Sequence, residues 1–254
     1  MKLSIHQYLT RAGIFKSKKE VFDAIKNSQI KIDKEIITNP NHYFNISVHE
    51  VFYKNKSLSD ITEKVYILLN KPLGYLCSKL TDEEKKLNKK SIFEIINKDA
   101  TIDEKTKNSL FSVGRLDEDT SGLLIITNDG KLSSRITNPD HEVNKTYLVV
   151  LKNKLSQHDI HSIEMGMYID LEENGRIYKY KSKKCKILPE TSNRIKITVK
   201  EGKKREIRRM FEKIGNQVLT LERVSIGNLK LKDLNLKESQ YMFIEKKFIE
   251  QRLK

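Results

Sequence analysis

The stretch from Val113 to Ile126 constrains this chain more than any other. Its first part, Val-Gly-Arg-Leu-Asp-Glu-Asp-Thr-Ser-Gly, packs Arg115, Asp117, Glu118 and Asp119 between Gly114 and Gly122, and an apolar run from Leu123 to Ile126 follows at once. Glycines at both ends let the backbone turn tightly or approach a ligand closely. A short apolar run bounded by turn residues reads as a buried strand. The chain therefore has to build a core strand that is entered through a constrained, charged loop, and Asp117 sits on that loop. A carboxylate held there can be a nucleophile, a general base or a metal ligand; a solvated acidic turn is the plainer reading of the same spacing.

The flanking segments predict the remainder of a sheet. Val65 to Leu69 is a β-type run leading into Asn70-Lys71-Pro72-Leu73-Gly74-Tyr75, a rigid exit that puts Lys71 at the mouth of the sheet. Thr127 to Gly130 is a turn signal, and Lys131 to Thr137 a short helix with Leu132 and Ile136 inward, ended by Asn138-Pro139. Lys145 to Leu151, Arg176 to Leu188 and Arg194 to Val199 read as strands. Ser156 and Asp159 form a capping-box pattern. Ile207, Met210, Phe211 and Ile214 make one helix face closed by Gly215, with Arg205, Arg208 and Arg209 on a neighbouring face. Residues 79 to 110 are expected to form a flexible surface loop plus a short helix around Ile92, Phe93, Ile95 and Ile96. Beyond about Glu245, a helix and a frayed tail are both open. Strands joined by turns, with helices between, predict an α+β fold: a mostly antiparallel mixed sheet flanked by helices.

A smaller module precedes the sheet. Ile5, Tyr8, Leu9 and Ala12 recur at helical spacing before Gly13, and Ser17 is placed to cap a second helix carrying Val21, Phe22 and Ile25. Ile30 and Ile32 alternate as a strand, with Asp33-Lys34 as a turn before Ile36 and Ile37. Lysines 16, 18, 19, 26, 31 and 34 crowd this unit, a basic rim suited to phosphate contacts and to the shape of structured RNA. A packing module with solvated lysines is the competing reading. The polar stretch from Lys54 to Thr62 places a boundary near Ser59, giving domains at 1–59 and 60–254.

Charge fits a polyanionic partner. Lys and Arg number 49 against 34 Asp and Glu, a net charge of +15, and neutralising phosphates releases condensed counterions. A lysine-rich composition bias accounts for part of this excess. Cys77 and Cys185 form no disulfide or zinc-ribbon pattern. No apolar run approaches the ~18 residues of a membrane span, and the first residues are too polar for a secretory signal; a cytoplasmic protein without membrane contact is expected. His158 and His161 lie one turn apart with no further His or Cys nearby, so no metal is expected.

Gly-Arg-Leu-Asp at 114–117 closely resembles the motif of pseudouridine synthases, enzymes that isomerise uridine within RNA, and the wider stretch resembles the RsuA/RluB/RluE/RluF branch, which acts mainly on ribosomal RNA. Three further segments are similar to motifs of that branch: Asn70 to Gly74, Lys145-Thr146-Tyr147, and Glu201 to Phe211. The resemblance implies that Asp117 is the catalytic aspartate, that Tyr147 stacks on the target uracil, and that Arg208 pairs with Asp117 beside the apolar Ile207. It implies substrate-binding roles for Arg115, Lys71, Ile207, Lys145, Arg205 and Arg209. Tyr8 to Ile14, Ser17-Lys18-Lys19 and Asn39-Pro40 resemble an S4-type RNA-binding domain, with Arg11, Lys16, Lys18, Lys19 and Lys31 as RNA contacts; Ser28 stands where that family has a common glycine. The expected partner is ribosomal RNA, naked or in an assembly intermediate, bound by a monomer that needs no cofactor. Two other classes use the same residues: a catalytically silent ribosome-assembly factor, and a metal-dependent nuclease built on Asp117 and Asp119.

Overall fold

A computed structural model describes residues 2–58, 62–173 and 175–253. Contacts divide them into two units. One holds the residues before Tyr66 with Phe93–Phe111 and Thr127–Gly130; the other holds Tyr66–Ile92, Ser112–Ile126 and the residues from Lys131 onward. Ser59, where the boundary was expected, lies outside the described residues.

In the first unit, helix Ile5–Ala12 buries Ile5, Tyr8, Leu9 and Ala12 and stops at Gly13, whose φ of +66° is left-handed. That conformation suits glycine, and a Cβ there would sit 1.9 Å from the Lys105 carbonyl oxygen. Helix Lys18–Lys26 starts on Ser17, whose hydroxyl accepts the Glu20 N–H at 3.2 Å. Val21 and Ile25 face the core as expected; Phe22 does not, lying in the open against Lys18. Strands Ile30–Ile32, Glu35–Ile36, Val51–Tyr53 and Lys56–Ser57 form one small sheet. Ser28 takes the turn at φ +56°, a strain that glycine would avoid. The polar stretch after Tyr53 begins as a hairpin, with Lys54 and Asn55 both at positive φ, a turn geometry that matches strand twist.

One expectation changes, and one turn proves to be structural. Residues 79 to 110 are not a loop with one helix: Asp82–Lys86, Ile92–Asn97 and Glu104–Ser109 are all helical. Each is too short for periodicity to reveal, and the first and last begin on the side-chain caps Thr81 and Asp103. The Asn128-Asp129 turn is also buried. Asn128 accepts the Val65 N–H at 2.9 Å and donates to the Glu63 carbonyl at 2.7 Å, and Asp129 pairs with Lys64 at 2.9 Å.

The second unit is organised on a nine-stranded sheet. Its main path runs Lys186–Pro189, Arg194–Val199, Lys145–Leu151, Val218–Ile226, Ser121–Thr127, Tyr66–Lys71 and Tyr241–Phe243. Ser121–Thr127 runs parallel to Val218–Ile226, while the Lys145–Leu151 strand is antiparallel to both its neighbours. A separate hairpin joins Tyr168–Glu173 to Arg176–Lys181. One core collects Leu68, Leu123, Ile125, Leu132, Ile136 and Ile226. The C-terminal stretch belongs to it: Lys246–Glu250 is helical, and Ile249 is fully buried, a burial that contributes about 2 kcal/mol.

Candidate active site

The loop carrying Asp117 is fastened by its backbone. Strand Tyr66–Lys71 ends on Lys71, which is fully buried. Its ammonium donates to the carbonyls of Thr120 at 2.7 Å, Asp117 at 3.1 Å and Pro72 at 3.1 Å. Those three bonds use every donor an ammonium has. Burial pushes the Lys71 pKa down; Cys77 and the acidic loop, Asp117 included, oppose that shift. The Leu116 N–H meets Cys77 Sγ at 3.3 Å, the Gly74 N–H donates to the Glu118 carbonyl at 2.8 Å, and Lys89 reaches both Glu118 carboxylate oxygens at 2.9 Å. The Asp117 carboxylate itself is half-buried and makes no hydrogen bond or ion pair among the described residues. A rigid main chain presenting an unengaged carboxylate suits attack on an electrophile or removal of a proton.

Helix Glu206–Lys213 supplies the arginines. Arg205 caps it at φ +54° and bonds both Asp119 carboxylate oxygens at 3.1 Å. Arg208 is buried; its Nη2 donates to the Asp119 carbonyl at 2.7 Å and its Nη1 to the Val218 carbonyl at 3.2 Å. Its Nε lies 3.2 Å from Asp119 Oδ2, an ion pair without hydrogen-bond alignment. Burial lowers the Arg208 pKa, with Asp119 and then, more weakly, Asp117 opposing. The direct partner of Arg208 is thus Asp119, and its influence on Asp117 is through space. Arg209 turns to the Asp170 carbonyl on the Tyr168–Glu173 strand. An open cleft of about 780 Å³ lies beside these groups, lined by Gly74, Glu118, Asp119, Arg205 and Arg208 among others.

A row of residues crosses the sheet beside the loop. Tyr147 pairs with Ile197 on one side and Arg223 on the other, and Arg223 pairs with Gly122. Residues paired in register share a face. Tyr147 and Arg223 are buried, and the Arg223 Nε donates to the Leu123 carbonyl at 2.7 Å. Gly122, at φ +105°, could carry no Cβ: one would stand 2.4 Å from the Arg223 carbonyl oxygen. Lys145 donates to the Val143 carbonyl at 3.3 Å; burial and then Arg223 lower its pKa, while Glu206 and Glu201 oppose.

Those two glutamates form a buried pair. Glu201 accepts the Tyr180 hydroxyl at 2.5 Å and the Lys183 N–H at 2.7 Å, and Glu206 accepts the Lys203 N–H at 3.1 Å. Burial, reinforced by the neighbouring Glu201, pushes Glu206 up to about 8. Burial acts upward on Glu201 too, but hydrogen bonds from Glu206, Lys183 and Tyr180 outweigh it and bring its pKa down. One shared proton ties the loop after Val199 to the helix that holds Arg208.

The structure therefore gathers Lys71, Asp117, Tyr147, Lys145, Arg205, Ile207 and Arg208 in one unit. Arg115 is exposed beside the loop, and Ile207 is buried on the helix. Lys71, expected to touch substrate from the mouth of the sheet, instead has no surface and no spare donor. Arg11, Lys16, Lys18, Lys19 and Lys31 belong to the other unit. There Lys16, Lys18 and Lys19 are exposed, Arg11 is partly covered, and Lys31 bonds the Asn55 side chain at 3.0 Å. His158 and His161 are joined by no third metal-ligating residue among the described residues. Sequence reasoning missed Asp119 as the arginine anchor, and Arg223 altogether. Part of the signal for Arg223 was available: in strand Val218–Ile226 it stands two residues from the buried Leu221, on the same face, whereas a register shift at Val224 turns Ser225 to the other face.

Comparison with known proteins follows the same residues. The family model for RNA pseudouridylate synthase matches residues 65–213. An uncharacterized RNA pseudouridine synthase of Bacillus subtilis is 32% identical over 231 residues, covering 90% of each chain. The ribosomal small subunit pseudouridine synthase A of Haemophilus influenzae is 32% identical over 91% of each chain, and that of Escherichia coli K12 is 31% identical over 85% of this chain and 86% of its own. A crystal structure of a pseudouridylate synthase superposes with a TM-score of 0.65 at 29% identity, covering 99% of this chain and all of that one.

Proposed function

Since this chain belongs to the RNA pseudouridylate synthase family and is by that membership an isomerase, we propose that it converts one uridine of ribosomal RNA to pseudouridine, with Asp117 as the nucleophile. The observation that carries this reading is the Asp117 loop: its main chain is clamped by Lys71 while its carboxylate is left unengaged. The target uridine leaves its stack and enters beside Tyr147, whose ring replaces lost stacking, ~1–3 kcal/mol per base. Asp117 attacks either the uracil ring or the ribose C1′. The N1–C1′ bond breaks, the uracil turns, and C5 joins C1′; the bond to Asp117 breaks and frees its carboxylate, a proton leaves C5 and N1 gains one. Nothing is oxidised or reduced. Arg208, from its place on Asp119, keeps a positive charge near the Asp117 loop when RNA covers the site and excludes water.

The substrate is proposed from the names of the relatives, two of which are ribosomal small subunit synthases, and from the net charge of +15. In this reading the chain is of the RsuA/RluB/RluE/RluF type, works in the cytoplasm as a monomer, and uses residues 1–59 as an S4-type module whose exposed Lys16, Lys18 and Lys19 grip phosphates. Carbodiimide mapping of pseudouridine across both large rRNAs, in cells with wild type, a deletion and Asp117→Asn, tests it. One site lost in both mutants supports the reading. Unchanged maps in all three overturn it and leave a silent RNA-binding factor in its place.

A further inference from the structure

Arg223 is 2% exposed, in the middle strand of the sheet, yet its Nη2 is buried without an acceptor and no carboxylate pairs with it among the described residues. Only its Nε is engaged, at the Leu123 carbonyl. An uncompensated cation in a protein interior is costly, and so is an unsatisfied donor. A second cation aggravates the cost: Lys145 is close enough for Arg223 to lower its pKa. Cys77 also feels the Arg223 charge, and its sulfur contacts Leu116, the residue before Asp117. Tyr147 is its cross-strand neighbour on the same face. The misfit thus lies beside the proposed stacking ring and next to Gly122, on the strand that the Asp117 loop enters.

We propose that Arg223 is a catalytic residue whose Nη2 donates to a carbonyl oxygen of the flipped uracil. The proposal rests on the functional reading above. Depth selects the base over the phosphate. A target nucleotide's phosphates stay near the surface because the RNA continues on both sides, where the exposed Arg115, Lys203 and Lys204 can meet them; only the extruded base goes deep. The chemistry gives the contact its purpose. If Asp117 adds to the ring at C6, an enolate forms with its charge on O4. If it displaces the base at C1′, uracil keeps the electron pair of the N1–C1′ bond, with charge spread over O2 and O4. On both routes negative charge collects on a carbonyl oxygen and is discharged when C5 bonds to C1′. A fixed, dehydrated guanidinium stabilises that charge more than it does the neutral base, so it acts on rate rather than affinity.

Wild type is first assayed for tritium release from both unmodified rRNA transcripts labelled at uracil C5, the position that loses its hydrogen. A short RNA spanning the modified site then carries uridine, 2-thiouridine or 4-thiouridine at the target, sulfur being the weaker acceptor. Arg223→Gln and Arg223→Lys are expected to bind this RNA within about 3-fold of wild type and to slow single turnover by about 100-fold or more. One thio substitution is expected to slow wild type at least ~10-fold without slowing Arg223→Gln further, the non-additivity of a shared contact. Additive losses, or non-additivity with a methylphosphonate at the target's 5′ phosphate instead, overturn the proposal while leaving the functional reading intact. If neither variant folds, wild type decides: equal rates on all three bases overturn it. No tritium from either rRNA overturns the functional reading and this proposal together.

Discussion

Lys71 Nζ lies 3.1 Å from the Asp117 carbonyl oxygen, so a buried cation holds the main chain of the residue whose side chain is presented for chemistry. The same ammonium holds Thr120, two residues past the acidic cluster's midpoint at Glu118, and Thr120 in turn donates its N–H to the Asp117 carbonyl at 3.1 Å. The loop is closed on itself around one lysine. A neutral donor could not replace it easily, because three carbonyls converge there.

Lys71→Met should therefore cost stability more than binding. It leaves the Pro72 and Thr120 carbonyls without the lysine donor and the Asp117 carbonyl with the Thr120 N–H alone, a loss of about 2–4 kcal/mol. Thermal unfolding should show the drop, and single-turnover rate should fall with it as Asp117 loses its position. RNA affinity should stay within about 3-fold, since the buried ammonium touches no ligand. An affinity loss larger than the rate loss would contradict the placement of Lys71.

Asp119→Ala removes the carboxylate shared by Arg205 and Arg208. Asp119 is half-exposed, so solvent screens the pairs, and a stability cost of about 1–2 kcal/mol is expected. Arg208 retains its two carbonyl contacts but gains freedom. Turnover should fall about 10-fold, a 1.4 kcal/mol effect, well short of the loss in Asp117→Asn. Equal losses in the two variants would assign the chemistry to Asp119.

Gly122→Ala places a Cβ 2.4 Å from the Arg223 carbonyl oxygen and 2.7 Å from its nitrogen, in a backbone conformation that disfavours alanine. Neither obstacle is a flexible side chain. A destabilisation above ~3 kcal/mol, read from denaturant unfolding, is expected. Gly130→Ala, with nothing within 4 Å of the added carbon, is the matched control.

Glu206 gives stability a pH dependence. Its folded pKa is raised to about 8 from an ordinary value of 4.5, so between these values the folded state holds a proton that the unfolded state has lost. This contribution is full below about 4.5 and is lost as pH rises toward 8. Glu201, depressed when folded, works in the opposite sense at lower pH. Glu206→Gln keeps a neutral donor toward Glu201 and abolishes the titration. Relative to wild type it should gain stability as pH rises from 5 to 8, by at most about 1.4 kcal/mol per pH unit. Melting curves that stay parallel across that range would contradict the shared proton.

Much of this architecture was legible in the sequence, for reasons visible in particular residues. Helix Ile5–Ala12, strand Lys145–Leu151 and helix Glu206–Lys213 combine clear periodicity with a cap or a bounding turn. Short helices were not legible: Glu104–Ser109 has only Thr106, Lys107 and Ser109 buried, no apolar stripe at all. Strand Tyr168–Glu173 carried a legible signal that was passed over: the buried Ile169 and Leu171 alternate with the exposed Asp170 and Glu172. At the site, motif resemblance gathered the residues but did not show which atoms meet. Arg208 finds Asp119 because its side chain is drawn to the Val218 and Asp119 carbonyls, a contact set by tertiary packing alone. Lys71 was expected at the surface because lysine is seldom fully buried; three converging carbonyls reverse that preference.

The most direct test of the central claim is the pseudouridine content of unmodified rRNA transcripts after incubation with purified protein, wild type against Asp117→Asn, alongside the RNA affinity of each. The account predicts one modified uridine with wild type, none with Asp117→Asn, and affinities within about 3-fold of each other. Pseudouridine formed at the wild-type rate by Asp117→Asn would contradict it.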